Sequence, residues 1–246
     1  MKRFCCLLLC LCFGATVFVA AGCAGGGGRF DLGMLYYQPM IWISDNTDPY
    51  CRTEIQFGAS YAYPPCSISY HFSRGDDCTG VPYASYFRAL AGEFACYGYE
   101  LDLTKLSEEE IAQFYAFTDR RRSLDKYLFH GDFYRLNTDE RYYYACLQVL
   151  EDRSAALFTF LQLNTQIRYE ALTVKMKGLD PAAKYKLSIN NQIYSGRTLE
   201  KAGLKLSDLL CKHWKTEDPL AISLPFGKTG SGISFELLKI EDAAEK

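Results

Sequence analysis

The stretch Met40-Ile41-Trp42-Ile43-Ser44-Asp45-Asn46-Thr47-Asp48-Pro49 passes from a short apolar run into a polar loop and then into a proline. The apolar run is long enough for one buried strand, and proline is favoured at the first position of a helix. The stretch therefore predicts a strand, an acidic loop and a helix, the βα unit of a parallel α/β fold. In barrels of that class the catalytic residues lie in such loops, after the carboxyl ends of the strands.

The two carboxylates of this loop are expected to have different roles. Asp48 directly precedes Pro49, so it is predicted to cap the helix, with Arg52 four residues further on as an ion-pair partner within reach. Asp45 has no such structural task and is the candidate for chemistry. The alternative is that both are ordinary loop acids, which is the usual case for an isolated Asp-x-x-Asp pattern.

Composition limits the class of protein. The chain has 246 residues, of which 49% are hydrophobic, enough for one large domain or two small ones. Its net charge is -2 and no basic patch stands out, which argues against a nucleic-acid partner. The 11 cysteines include no Cys-x-x-Cys pair and form no ligand-like cluster with the three histidines. A zinc site is therefore not predicted, and most of the cysteines are expected to be buried thiols.

Helix and strand patterns alternate after the loop. Residues 49–60 are predicted to be helical, residues 61–82 irregular, and residues 84–103 helical before a strand near Phe94 to Tyr97. This alternation continues the α/β character of the opening stretch.

A capping box at Ser107-x-x-Glu110 predicts a helix that extends to about Leu124. The residues predicted on its inner face are Ile111, Phe114, Tyr115 and Thr118. The run Arg120-Arg121-Arg122 lies late in this helix, where positive charge complements the helix dipole. It is interpreted as a solvated helix end.

The hydrophobic period changes to two after about residue 128. Ala145, Leu147 and Val149 alternate with Tyr144, Cys146 and Gln148, and after a turn the same pattern returns at Ala156 and Phe158. The pattern predicts an antiparallel sheet domain, a small sandwich without a catalytic constellation. Its expected role is to cover and stabilise the rest of the protein.

Residues 1–22 allow two interpretations. A positive start followed by an apolar run resembles a secretory signal, and Ala20-Ala21-Gly22-Cys23 resembles a lipoprotein cleavage site. In that case Cys23 would be lipidated and the protein exported or anchored to a membrane. The favoured interpretation is that residues 1–22 are not native to the fold, because of a truncated gene or a start site placed inside a longer one. The protein would then be cytoplasmic.

Several further motifs occur in order around the acidic loop. They are Cys23-Ala24-Gly25-Gly26-Gly27-Gly28-Arg29-Phe30-Asp31, Gly33-Met34-Leu35-Tyr36-Tyr37, Ile55-Gln56-Phe57-Gly58, Tyr63-Pro64-Pro65, Gly98-Tyr99-Glu100-Leu101-Asp102-Leu103, Gly131-Asp132-Phe133-Tyr134-Arg135-Leu136, Gly178-Leu179-Asp180-Pro181 and Tyr194-Ser195-Gly196. Together with the loop, over roughly residues 23 to 240, this set resembles the C-terminal portion of glycoside hydrolase family 36, the bacterial-type α-galactosidases.

The resemblance implies a fold and a domain division. Residues 23–127 would contain the last strands of a (β/α)8 TIM barrel, and residues 128–246 a C-terminal antiparallel β-sandwich domain. Residues 1–22 would form a separate, signal-like or non-native segment. The fold class expected is therefore α/β plus all-β.

The resemblance also implies the chemistry, which is retaining hydrolysis of α-galactoside oligosaccharides. Asp45 would be the acid/base, which must hold its proton when substrate binds, while Cys23 and Gly26 would contact the sugar and Arg29 would brace their loop. The family nucleophile is an Asp in a Lys-Trp-Asp motif on an earlier barrel strand, and this sequence has no such motif. The 246-residue chain alone is therefore predicted to be inactive.

No cofactor or metal is implied, and homo-oligomers are expected only of full-length family members. Two other function classes stay open. One is a non-catalytic carbohydrate-binding lipoprotein, anchored to the membrane through Cys23. The other is one piece of a split enzyme.

Overall fold

The computed structural model of the protein describes residue 36 and residues 39–73, 86–100, 102–136, 142–164, 172–210, 220–224 and 231–241. These residues form a small parallel sheet with helices, followed by a larger antiparallel sheet. Among them, no helix combines the length and the apolar character that a membrane span requires.

The first sheet has three parallel strands, β1 (Ile41–Trp42), β2 (Ile68–Ser73) and β3 (Cys96–Glu100), in that spatial order. Helix α1 (Pro49–Ala59) connects β1 to β2, and α2 (Tyr86–Ala91) precedes β3. Parallel neighbours need long connections, and helices normally supply them. The parallel α/β character predicted from the opening stretch is therefore confirmed.

Strand β2 lies within residues 61–82, for which irregular structure was predicted, and that prediction was wrong for the strand. Large apolar side chains occupy alternate positions of β2: Ile68, Tyr70 and Phe72. All three are fully buried. A 3-10 turn at Pro65–Ser67 comes directly before the strand. The prolines of this turn favoured an irregular assignment for the whole segment, and the short period-two pattern of the strand was therefore missed.

The side of the parallel sheet that faces the helices is an aromatic core. The ring centroids of Phe72 and Phe117 are 5.7 Å apart, and those of Tyr70 and Tyr97 are 5.9 Å apart. The buried aromatic residues of this core are Phe57, Tyr70, Phe72, Phe87, Phe94, Tyr97, Phe117 and Tyr144. Aromatic pairs at these distances contribute about 0.5–1.5 kcal/mol beyond the area they bury. Much of the aromatic content of the sequence therefore stabilises this layer.

Helix α3 (Glu108–Ser123) begins at the predicted capping box. The Ser107 hydroxyl accepts from the Glu110 N–H at 3.2 Å, and the Glu110 carboxylate accepts from the Ser107 N–H at 2.9 Å. Helix α4 (Asp125–His130) follows almost at once. Both the start and the end predicted for α3 are confirmed.

The buried side of α3 differs from the prediction. Tyr115 is 61% exposed, whereas Phe117 is buried. The interpretation of the arginine run as a solvated helix end was wrong for two of its three members, because Arg120 and Arg121 are both buried. Arg121 pairs with Asp125 at 2.8 Å. Charged side chains are almost never fully buried unless they are paired, and these two are paired.

The second half of the chain is dominated by strands. They are β4 (Gly131–Arg135), β5 (Tyr143–Leu150), β6 (Ala155–Gln162), β7 (Thr173–Val174), β8 (Lys184–Leu187), β9 (Ile193–Ser195), β10 (Leu204–Lys205), β11 (Ile222–Leu224) and β12 (Ser231–Ile240). The short helices α5 (Gly196–Lys201) and α6 (Ser207–Leu210) lie on either side of β10.

Seven of these strands form one antiparallel sheet in the order β4-β5-β6-β12-β8-β9, with β11 paired to β12 outside this order. The predicted hairpin is β5–β6, in which Ala145 lies opposite Phe160. A second, two-stranded sheet of β7 and β10 joins the same hydrophobic core, together with α5 and α6. The antiparallel sheet expected after residue 128 is therefore confirmed.

Buried polar contacts tie the two sheets together. Glu93, 1% exposed, pairs with Arg120 of α3 and accepts a hydrogen bond from the Thr159 hydroxyl of β6 at 2.7 Å. Arg120 also donates to the Leu220 carbonyl at 3.0 Å and to the Ser234 hydroxyl at 3.3 Å. A buried ion pair is tolerated when its remaining donors and acceptors are bonded. The two halves of the chain are therefore joined through one bonded network.

Packing explains two of the sequence motifs. Arg135 of β4 donates to the Ser60 carbonyl and hydroxyl at the end of α1, and its guanidinium lies 4.1 Å from the centre of the Tyr61 ring. Tyr134 packs on Gly178, which has φ +78° and where a β-carbon would lie 2.4 Å from the tyrosine ring. Gly178 is needed both for its backbone conformation and for this close approach.

Candidate active site

The loop after β1 is shaped by its own polar side chains. The Asn46 N–H donates to the Ser44 hydroxyl at 3.1 Å, and the Asp48 N–H donates to the Asn46 side-chain carbonyl at 2.8 Å. Short polar side chains that accept from the backbone two residues further on stabilise turns. Asp45 lies within these turns and is exposed to solvent. Its carboxyl group is therefore open to a ligand.

Asp48 is the N-cap of α1, as predicted. Its Oδ1 accepts from the N–H groups of Tyr50 and Cys51 at 2.9 and 3.2 Å, and Pro49 occupies the first helical position. Asp48 is buried. An N-cap of this kind contributes about 1 kcal/mol. Asp48 therefore has a structural role, and Asp45 is the loop acid available for chemistry.

Two buried arginines hold the same loop through its backbone. Arg52 Nη1 donates to the Ser44 carbonyl at 2.8 Å, and Arg88 Nη1 donates to the Thr47 carbonyl at 2.7 Å. Arg52 does not pair with Asp48, the partner that the sequence spacing suggested. Its other side-chain bonds go to its own helix and to the backbone of β2. Both arginines are at most 1% exposed.

The burial of these groups shifts their pKa values. Burial lowers the pKa of the Arg52 guanidinium to about 10, against the opposing influence of Tyr70 and Asp45. Burial also lowers the pKa of Arg88, which Tyr70 and Asp48 oppose. Complete burial raises the pKa of the Tyr70 phenol. At neutral pH Arg52 therefore stays positive beside the loop, and Tyr70 stays protonated.

The loop stands at the carboxyl end of the parallel sheet, where open α/β folds place their ligand sites. On the sheet face turned away from the aromatic core, Trp42 stacks on His71 with ring centroids 3.8 Å apart. The indole also covers Gly98 of β3, where a β-carbon would lie 1.7 Å from Trp42 Cη2. Only a residue without a side chain fits there. The glycine thus allows an aromatic surface to form directly before the acidic loop.

Cys23 and Gly26, which were expected to contact the sugar, lie outside the described residues, as does Arg29. The structure therefore places one predicted site residue, Asp45. The contact of Cys23 and Gly26 with the sugar stays a prediction.

Within the described ranges, no group of three or more His, Cys, Asp or Glu side chains is arranged to hold a metal ion. In the same part of the chain, Cys51, Cys66, Cys96 and Cys146 are thiols and not disulfides. Burial raises the pKa of the Cys66 and Cys146 thiols. Because the thiolate is the reactive form, neither of these two is a candidate nucleophile.

Two protein-family models match successive parts of the chain. The melibiase model matches residues 15–129, and the model of the glycosyl hydrolase family 36 C-terminal domain matches residues 143–218. The chain belongs to glycoside hydrolase family 36. The resemblance carried by the sequence motifs is thereby confirmed.

Curated alpha-galactosidases are similar to this chain over a limited part of their length. Alpha-galactosidase C of Emericella nidulans is 39% identical over 188 residues, which are 75% of this chain and 24% of that protein. The bifunctional alpha-galactosidase/sucrose kinase AgaSK of Mediterraneibacter gnavus is 36% identical over 200 residues, 80% of this chain and 21% of that protein. The chain thus spans about a quarter of the length of these relatives.

A solved family 36 structure has the same fold over this region. It is a variant of the alpha-galactosidase AgaA from Geobacillus stearothermophilus in complex with raffinose. The match has a TM-score of 0.66 and 31% sequence identity, and it covers 88% of this chain and 28% of that enzyme.

Proposed function

We propose that the chain supplies the proton-donating part of an α-galactosidase active site, with Asp45 as the acid/base. The observation that carries this proposal is the placement of Asp45. It is exposed at the carboxyl end of the parallel sheet, in a loop fixed by turns and buried arginines. The other acid of the loop, Asp48, is committed to the helix cap.

In this proposal residues 23–127 contain only the last strands of a (β/α)8 barrel, and these strands are β1, β2 and β3. The parallel order of the three strands supports this assignment, as does the acidic loop at their carboxyl ends. Residues 128–246 form the C-terminal sandwich domain. Its role is structural, and the Glu93–Arg120 network joins it to the barrel strands.

The reaction is a double displacement at the anomeric carbon. Asp45 gives its proton to the glycosidic oxygen as the bond from that oxygen to the sugar breaks, and a second carboxylate bonds to the anomeric carbon. Water then displaces the second carboxylate, and Asp45, now ionised, takes a proton from that water. Galactose leaves with its α configuration retained.

The second carboxylate does not come from these 246 residues. The family nucleophile belongs to a Lys-Trp-Asp motif, and the tryptophans of this sequence are Trp42 and Trp214, neither of which is in such a motif. The two carboxyl groups of a retaining glycosidase lie about 5–5.5 Å apart. A carboxylate from outside these 246 residues must therefore act as the nucleophile beside Asp45, and the 246 residues by themselves do not hydrolyse α-galactosides.

The substrate is an oligosaccharide that ends in an α-galactosyl group. Raffinose, bound in the AgaA structure, is such a sugar, and this chain is similar to 28% of that enzyme. Cys23 and Gly26 contact the galactosyl ring from the glycine-rich segment. With the galactosyl ring bound in this way, the exposed carboxyl group of Asp45 faces the oxygen that links galactose to the rest of the oligosaccharide.

Reconstitution tests this function. The chain is co-expressed with the N-terminal portion of AgaSK that precedes the region similar to it, and hydrolysis of p-nitrophenyl α-galactoside and raffinose is measured. We expect no turnover by the chain alone and turnover by the complex. Asp45→Ala should remove raffinose hydrolysis, because sucrose is a poor leaving group that needs a proton, and should affect the nitrophenyl substrate less.

Rescue by azide tests whether the role lost in Asp45→Ala is that of the acid/base. Azide attacks the galactosyl-enzyme without base catalysis, so it should restore turnover of the nitrophenyl substrate by the Asp45→Ala complex and yield α-galactosyl azide. Asp48→Asn is the matched control, because asparagine caps helices as well as aspartate does. Any loss it causes should be equal for both substrates. Raffinose hydrolysis that survives Asp45→Ala would refute the assignment.

A further inference from the structure

Two guanidinium groups are buried beside the acidic loop, although burial disfavours a charge. Arg52 and Arg88 are 0% and 1% exposed. A buried charge costs free energy unless its donors are well bonded, so an apolar residue of similar size would be the simpler choice at either position. Two arginines kept at this depth indicate that their directional donors are needed.

The donors converge on the backbone on both sides of Asp45. Arg52 reaches the carbonyl of Ser44, the residue directly before Asp45, at 2.8 Å. Arg88 reaches the carbonyl of Thr47, two residues after it, at 2.7 Å. The two contacts come from different helices, α1 and α2, and enclose the two exposed loop residues Asp45 and Asn46.

These two arginine contacts with the loop, here called the Arg52–Arg88 clamp, are supported by a neighbouring strand and by the helices. Arg52 Nη2 donates to the Ser69 carbonyl of β2 and to Gln56 Oε1, the latter at 3.2 Å. Gln56 in turn donates to the Ala91 carbonyl at the end of α2 at 2.8 Å. The Arg52 guanidinium also lies 5.8 Å from the centre of the Tyr70 ring. One guanidinium therefore connects the loop to the neighbouring strand and, through Gln56, to α2.

We propose that Arg52 and Arg88 are positioning residues that fix the backbone on either side of Asp45 and so aim its carboxyl group at the glycosidic oxygen. This inference rests on the proposed function, because it needs Asp45 to be the acid/base. Neither arginine touches the substrate. A displacement of about 1 Å at a reacting group can cost about a hundredfold in rate, so a loop this exposed benefits from rigid supports.

The first test uses the 246-residue chain alone and does not depend on activity. Arg52→Lys and Arg88→Lys keep the charge but lose the planar set of donors. Amide hydrogen exchange measured by NMR should become about tenfold faster at Asn46 and Asp48 in each variant, and the unfolding midpoint should fall only moderately. If a lysine variant fails to fold, Gln56→Met is used in its place, because it removes a hydrogen-bond partner of Arg52 and leaves both arginines unmutated. It should also make amide exchange at Asn46 and Asp48 faster.

Arg121→Lys is the matched control. Arg121 is also buried, at 5% exposed, and it also donates to a backbone carbonyl, that of Ala95, which is not part of the loop. It should lower the unfolding midpoint without changing exchange at Asn46 or Asp48. Unchanged exchange at both amides in the loop variants, or the same change in the control, would overturn the proposal.

The second test uses the reconstituted complex and separates positioning from general stability. Arg52→Lys and Arg88→Lys should lower kcat for raffinose about tenfold more than kcat for p-nitrophenyl α-galactoside, with KM nearly unchanged. If the arginines only stabilise the fold, kcat should fall by the same factor for both substrates, because less active enzyme is present. That result would refute the positioning role. Asp45→Ala is the reference. If Asp45→Ala shows no preference for the better leaving group, it is the proposed function that has failed.

Discussion

Replacing Gly98 by alanine tests the packing directly before the acidic loop. An ideal β-carbon at this position would lie 1.7, 2.4 and 2.8 Å from three atoms of the Trp42 ring. Carbon atoms in contact are normally about 3.5–4.0 Å apart, so the indole would have to move by about 2 Å. That movement would also disturb its stack on His71, in which the ring centroids are 3.8 Å apart.

The expected cost follows from these two contacts. Overpacking costs about 1–3 kcal/mol, and the aromatic pair contributes about 0.5–1.5 kcal/mol. These contacts should cost the Gly98→Ala variant about 2–4 kcal/mol of unfolding free energy. Backbone preference acts in the opposite direction, because alanine is favoured over glycine inside regular structure by about 0.5–1 kcal/mol. We therefore expect a net loss of about 1–3 kcal/mol, because the cost of the contacts exceeds the gain in backbone preference.

Gly58 of α1 supplies the matched control. A β-carbon there would meet nothing within 4 Å, so Gly58→Ala should raise the unfolding free energy by up to about 1 kcal/mol. Urea denaturation followed by circular dichroism measures both variants, with the m-value as the check that only stability has changed. The reasoning fails if Gly98→Ala is as stable as the wild type while Gly58→Ala behaves as expected.

Two further predictions concern charged groups. Glu93→Gln should lower the unfolding free energy by about 3–5 kcal/mol, because it leaves the buried Arg120 charge without its partner. Glu54 is exposed, so the unfolding free energy of Glu54→Gln should stay within about 0.5 kcal/mol of the wild-type value in the same urea titration. A backbone N–H and Lys239 hold the pKa of Asp180 below its ordinary value of 3.8, so its stabilising effect is present above that pH and is lost as the pH falls through the lowered pKa. The wild type and Asp180→Asn should therefore differ in urea midpoint near pH 7, and the difference should shrink as the pH falls below 3.8; a constant difference from pH 7 into this acidic range would contradict the assignment.

Local patterns with a direct physical cause could be predicted from the sequence. The N-cap Asp48 and the capping box at Ser107 are short-range features whose donors and acceptors lie within three residues, so spacing alone specifies them. The hairpin β5–β6 followed from its period of two. Asp45 was selected because Asp48 had a structural task, and the structure confirms that task. The role of Asp45 itself stays a prediction.

The arginines could not be interpreted correctly from spacing. Arg52, Arg88, Arg120 and Arg121 look like surface residues in the sequence, because nothing local distinguishes a buried guanidinium from a solvated one. Most of their partners are backbone carbonyls far along the chain, such as Leu220 for Arg120, and a carbonyl has no sequence signature. One signal was available: Arg52 lies at helical spacing from the buried Gln56, on the inner side of α1.

The depth at which Arg52 is held has a consequence for how an enzyme containing this loop would respond to acidity. Its pKa of about 10 is far above the range in which a carboxylic acid exchanges its proton. The Arg52 guanidinium would then keep its charge, and with it its hydrogen bond to the loop, while the acid group titrates. A pH–rate profile measured between weakly acidic and neutral conditions should therefore describe proton occupancy of the carboxyl groups, with no contribution from a change in the charge of Arg52.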